Sequence, residues 1–344
     1  MRGRTNEFFR ELLRLVRSTS HFNSQAASGR LPAPPASVVG LLVFFVIFVS
    51  FVVSPPLISR EQTPEATSLL GKPLFSPPVA EAAKPRMESD LATARAAWEK
   101  DRASADAHIW LGRRTAYLGR FREAIAIYTD GIKQHPNDSR FYRHRGHRYI
   151  TVREFDRAIA DLERAAALRK GQPDEVEPDG QPNARNIPTS TLHSNIWYHL
   201  ALAYYLKGDF DRAIPAWRTT RDVGKNPDNL VSATHWLYTS LRRAGRTAEA
   251  AEALKPIRAD LEVIENMSYH ALCLLYKGER TVDDVLKAAG EGPSGSAVRY
   301  GVSIWHLYNG RAAEARTLWD SLTSGPDWPS FGFIGAEVEL ARKR

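Results

Sequence analysis

Cysteine is almost absent: Cys273 is the only one in 344 residues. A single thiol closes no intrachain bridge, and no histidine group joins it at the short paired spacing of a structural zinc site. The phosphate-cradling GxxxxGK, the metalloprotease HExxH and the nucleophile elbow GxSxG are missing too. Cys273 lies in an apolar helical stretch, where a thiol is not activated. No cofactor, no metal and no catalytic centre are therefore expected.

Lysine is missing from residues 1–36, which carry Arg2, Arg4, Arg10, Arg14, Arg17 and Arg30 against Glu7 and Glu11. That tail holds half of the formal charge of +8, and the rest of the chain is nearly balanced. Phosphate backbones need basic residues gathered on one face, so nucleic acid is not the expected partner. Charge of either sign is missing from residues 36–54, ASVVGLLVFFVIFVSFVVS. As a helix this run is about 28 Å long against a hydrocarbon core of about 30 Å. Prolines 34, 35, 55 and 56 isolate it. A single transmembrane anchor is expected, with a cleaved signal and a secreted body as the alternative. The arginines before it place the N-terminus in the cytoplasm and the C-terminal body on the outer side. Phe8, Leu12 and Val16 recur every four residues in the tail, which fits a helix on an anionic leaflet or simply a soluble basic tail.

Residues 55–87 hold seven prolines and little apolar periodicity. This composition predicts an extended stand-off linker. The organisation thus reads as a basic tail over 1–35, an anchor over 36–54, a linker over 55–87 and a helical body over 88–341.

The body repeats itself. GRFREAIAIY from Gly119, REFDRAIADL from Arg153, GDFDRAIPAW from Gly208, GRTAEAAEAL from Gly245 and GRAAEARTLW from Gly310 share one pattern. Ala124 and Ala158 are 34 residues apart, as are Gly112 and Gly146. Apolar positions recur at three and four residues on both sides of each glycine turn, so each unit is a helical hairpin. Small residues admit close packing and large ones such as Trp197, Leu200, Tyr204 and Trp217 fill the remaining space. Half a hairpin around Ala94 and Trp98 and a helix over 331–341 would close the two ends. The expected fold is all-α: a helical-hairpin α-solenoid of about five or six units, preceded by one transmembrane helix. His108, His199, His270 and His306 sit beside apolar stripes and read as hydrogen-bonded packing residues.

With Leu111, Gly112, Ala124, Tyr128, Gly131 and Pro136, then Tyr142, Gly146, Tyr149, Ala158, Leu162 and Ala165, then Trp197, Leu200, Ala201, Tyr204, Ala213 and Trp217, the chain resembles the tetratricopeptide repeat family. Later units match less well. The resemblance implies a right-handed superhelix whose first helices line a concave groove, and a role as a protein–protein scaffold or adaptor that holds a peptide there. Carried over position by position, the groove residues are Arg113, Arg143, His147, Tyr198, His235 and Arg242. This cationic, aromatic stripe suits an acidic or extended peptide. The Lys and Asn pairs of the family's chaperone-tail readers are replaced by Ile109, Arg113, Arg143 and His147. Residues 171–191 are an extra loop carrying Asp174, Glu175, Glu177 and Asp179, read as a solvent-exposed connection or as a lid. The stripe could equally be a solvated basic face that these acids partly neutralise. Two other classes stay open: a groove-based catalytic site using Arg143, His144, His147, Asp174 and His235, and an RNA-reading helical repeat, for which the pI of 9.6 speaks.

Overall fold

Polar caps and glycine turns divide residues 84–341 into fourteen helices, in a computed structural model that describes residues 63–342. The tail, the 36–54 run and the first part of the linker lie outside the described residues. Among the described residues no helix is long and apolar enough to cross a membrane.

Helix α1 spans Lys84–Lys100. Six hairpins follow: α2 (Ala105–Tyr117) with α3 (Phe121–Gln134), α4 (Ser139–Thr151) with α5 (Phe155–Arg169), α6 (Leu192–Lys207) with α7 (Phe210–Val223), α8 (Pro227–Arg243) with α9 (Thr247–Ala253), α10 (Met267–Lys277) with α11 (Val282–Ala288), and α12 (Gly292–Tyr308) with α13 (Ala312–Ser324). The last helix is α14, Phe331–Ala341. Seven of the fourteen starts carry side chains that accept otherwise unpaired amides, among them Ser104 from Ala107, Asp209 from Arg212, and Thr191 in a reciprocal box with Ser194. Each such cap is worth about 1 kcal/mol. Gly119 and Gly208 turn the chain at φ 76° and 82°, a left-handed conformation that only glycine adopts freely. Small-against-large packing closes the hairpins, since a Cβ on Gly112 would lie 2.3 Å from the Tyr128 ring.

The first helices of successive hairpins touch in a row and then curl tightly on themselves. Tyr205 of α6 and Tyr300 of α12 share a hydrogen bond of 2.7 Å between their hydroxyls. Trp236 of α8 lies 5.2 Å from Tyr205 and 5.8 Å from Tyr300, ring centre to ring centre, and stacks on Trp217 at 5.9 Å. The inner faces of α6, α8 and α12 therefore meet as a continuous aromatic core rather than bounding an open channel.

The described part of the proline-rich segment packs rather than standing off. Strands β1 (Ala66–Thr67) and β2 (Pro73–Leu74) pair antiparallel, with Ala66 and Leu74 buried in the main core. Trp328 donates its indole N–H to the Phe75 carbonyl at 2.8 Å, and Ser76 donates to the Gly119 carbonyl at 3.1 Å. Prolines supply no amide, but their carbonyls and rings still pack, and composition alone does not reveal that.

Helix α14 does more than cap one end. It packs on α12 and α13 and reaches back to α6. Its Glu337 is completely buried and accepts from Arg153 Nε at 2.8 Å, 184 residues away in sequence. Arg153 also donates to the Trp328 and Thr151 carbonyls and lies over the Trp328 and Phe333 rings. It occupies the turn position that glycine fills in the other units, at φ 67°. A left-handed non-glycine residue costs about 1–2 kcal/mol, whereas stripping the partner from a buried carboxylate costs about 3–5 kcal/mol. The pairing wins. Arg153→Gly should therefore destabilise the protein by about 2–4 kcal/mol despite relieving the backbone, and adding Glu337→Leu should recover part of that loss. Urea unfolding of the three variants measures both effects.

Candidate binding site

The inner ends of α2 and α4 bring three arginines together, Arg113, Arg143 and Arg148. Helix α4 reads SRFYRHRGHRYIT, so its arginines and histidines fall on several faces and meet different partners. Arg145 pairs with Asp161 through two bonds of 2.7 Å. Arg140 is held by Asp138 and by Asp106, each at 2.6 Å. Arg143, 7 % exposed, approaches Glu177 with its Nε 2.9 Å from the carboxylate, although that N–H is not aligned as a hydrogen bond. Arg143 also donates to His144 Nδ1 at 3.0 Å, which puts the His144 proton on Nε2, 3.9 Å from the other Glu177 oxygen.

Glu177 comes from the 171–191 insert, which lies across the inner face as a strap. It forms no helix, only a bridge between Val176 and Thr191. Arg113 donates to the Pro178 carbonyl at 2.8 Å and Arg114 to the Gly180 carbonyl at 2.9 Å. Gly180 passes so near Tyr117 that a Cβ would stand 2.1 Å from the phenol oxygen. Farther along, Asn183 and Thr189 donate to Glu265 at 2.6 and 2.7 Å, and the Thr189 carbonyl accepts from Asn226 and Asn229. The strap leaves cavities of about 230 and 210 Å³ on its two sides, and Arg113, His144 and Glu177 line both.

Of the six groove residues expected from sequence, the structure brings Arg113, Arg143 and His147 to the first cavity. His147 lies 4.1 Å from His199 and 5.5 Å from Phe331, ring to ring, so the first residue of α14 covers it. Tyr198 is turned into the aromatic core, where it accepts from the Trp236 indole at 2.9 Å. His235 is fully buried, stacked on Tyr269 and Tyr276, with the Tyr276 hydroxyl 3.0 Å from its Nδ1. Arg242 binds the Tyr238 hydroxyl at 2.8 Å and the Tyr308 carbonyl at 3.2 Å. The inward curl explains the last three: Tyr198 and His235 meet rings of the neighbouring hairpins, and Arg242 meets Tyr238 and Tyr308.

His108 sits edge-on between Trp98 and Phe141, and His199 bonds the Asn195 carbonyl at 2.6 Å. The five residues of the catalytic alternative do not converge. Asp174 lies 4.0 Å from His193, and His235 is in the aromatic core. Among the described residues no group of three His, Cys, Asp or Glu is placed to hold a metal ion. Arg148, which also lines the first cavity, was not singled out from sequence. The signal that could have found it is the run of arginine and histidine through α4, set against four acids in the next loop.

Fold and site define an all-α protein of stacked helical hairpins whose inner face is strapped by its own chain. Residues 111–175 match a family model described as tetratricopeptide repeat, and residues 194–217 match a second of the same description. These two stretches thus carry tetratricopeptide repeats. No curated protein matches it. Similar solved structures include MamA, 16% identical over 58% of this chain and 88% of that one with a TM-score of 0.39. YrrB, described as a TPR protein with an unusual peptide-binding site, is 13% identical over 68% of this chain and 92% of its own, TM-score 0.39. A putative kinesin light chain of Podosopora anserina with TPR-like repeats is 16% identical over 64% and 94%, TM-score 0.38.

Burial is the first cause holding the His144, His147 and His199 imidazoles well below their usual range, and Arg143 and Arg148 reinforce it. Burial alone brings His235 down to about 3. All four are neutral when folded, but each takes up a proton below about pH 6.5 when unfolded. The unfolded state then binds more protons, so stability falls as the pH drops, by up to about 1.4 kcal/mol per pH unit for each imidazole. Denaturant midpoints should be clearly lower at pH 5.5 than at pH 8. Equal midpoints would show that these rings protonate within the fold.

Proposed function

We propose that this chain is a membrane-tethered, non-catalytic scaffold that binds an acidic, extended peptide on the inner face of α2 and α4. Residues 36–54 serve as its single-pass anchor, with the basic tail in the cytoplasm and the repeats, wound as a right-handed superhelix, on the outer side. The uncharged run and the arginines before it support that arrangement.

One observation carries the binding assignment. The strap is itself an acidic, extended peptide lying on that face. Around Glu177 to Gly180 its main-chain carbonyls accept from Arg113 and Arg114, and its carboxylate meets Arg143. Main-chain bonds from fixed arginines together with one charged anchor are how helical-repeat grooves can hold a segment without secondary structure. A partner of the same chemistry would use the same donors.

Fluorescence anisotropy of labelled acidic peptides with the full chain in detergent tests this. Arg143→Glu combined with His147→Ala should weaken binding by about tenfold or more, as expected when a charge-assisted bond becomes a repulsion. Glu177→Gln frees Arg143 and should strengthen it. Unchanged affinity in both variants rejects the site.

A further inference from the structure

We propose that the cavity between the strap and the inner ends of α2 and α4 is a binding site for a dianionic oxyanion, a phosphate or phosphate ester, held by Arg113, Arg143 and Arg148. This goes beyond the peptide reading and does not rest on it.

Charge is the first ground. Three guanidiniums line this space, and the one buried carboxylate among its walls is Glu177. Among the described residues Arg148 has no carboxylate or carbonyl acceptor, and its guanidinium lies over the Phe121 ring, 5.5 Å from the ring centre. Burial, with Arg143 and Arg113 adding repulsion, brings Arg148 down to about 10, so it remains charged at neutral pH. Outside this cavity Arg145, Arg153 and Arg243 each have an acid, and Arg242 has a hydroxyl and a carbonyl acceptor. Arg143 supplies the second ground: its Nε–H is buried without a hydrogen-bond acceptor. A guanidinium fork fits tetrahedral and planar oxyanions alike, and three of them against one carboxylate leave an excess that a dianion matches.

The remaining walls fit an organic portion beyond the anion. Tyr117, Thr189, Ser190 and Asn195 supply hydroxyl and amide groups, and His144 and His147 are neutral donors. Two more acids, Asp179 and Glu265, lie at the exposed rim. Asp179 accepts from the Gln181 amide and Glu265 from Asn183 and Thr189, and at their exposed positions solvent screens both charges. A volume of about 230 Å³ is that of roughly seven waters, more than a bare phosphate requires.

Thermal unfolding of the full chain in detergent, at constant ionic strength and pH 7.5, is the test, with inorganic phosphate and glycerol 3-phosphate as probes and chloride as reference. Either probe should raise Tm saturably. A stronger response to the ester identifies an esterified ligand, and equal responses identify free phosphate. Arg148→Gln should weaken the response by about tenfold or more, whereas Arg221→Gln, which lies away from the cavity, should not. Without ligand, Arg148→Gln relieves repulsion and should melt no lower than the unsubstituted chain. No saturable shift with either probe, an undiminished response in Arg148→Gln, or a lower melting point of that variant without ligand would overturn the assignment.

Discussion

An arginine drawn into the interior of a helical stack needs an acceptor, and four in this chain take a carboxylate from another element. Arg145 takes Asp161 from the second helix of its own hairpin. Arg153 and Arg243 take Glu337 and Glu339 from the last helix, and Arg143 takes Glu177 from the strap. The energetics are asymmetric. A buried pair contributes modestly against a well-packed apolar alternative, but losing one partner is severe. The pairs therefore act less as a source of stability than as a set of conditions on where the strap and α14 can rest.

Those conditions shape the site. The strap lies on the inner face because its carbonyls and one carboxylate engage Arg113, Arg114 and Arg143 together, and it divides the space there into two cavities. Helix α14 covers His147 through Phe331 and so closes the neighbouring stretch of inner face. What stays open is a small, polar, cation-rich volume. The apolar side of the interior is already filled by the Trp217, Trp236, Tyr205 and Tyr300 rings.

Local features were readable from the sequence because their causes are local. Gly119 and Gly208 mark turns since the backbone there is left-handed, and Gly112 opposite Tyr128 follows from helical spacing. The helices around Ala94 and over 331–341 announced themselves by periodicity. Contacts across the stack were not readable in the same way. Whether Tyr198, His235 and Arg242 face a groove or the side chains of other hairpins depends on how tightly six hairpins curl, and that is set by pairs such as Tyr205 and Tyr300, 95 residues apart. Arg153 did leave a trace: in the aligned copies it stands where the others have glycine. A side chain tolerated in a glycine slot is evidence of a long-range partner, though the sequence does not say which.

The bond between Arg153 and Glu337 also changes what kind of object the repeat array is. An open solenoid is a sum of neighbours, and units can be added or removed at modest cost. Here the second hairpin is tied to the final helix, so the array is latched into a closed circuit whose number of units is fixed by geometry. An inserted or deleted hairpin would move the latch out of register, and during synthesis the early repeats wait for the last segment to emerge before their interior charge is matched.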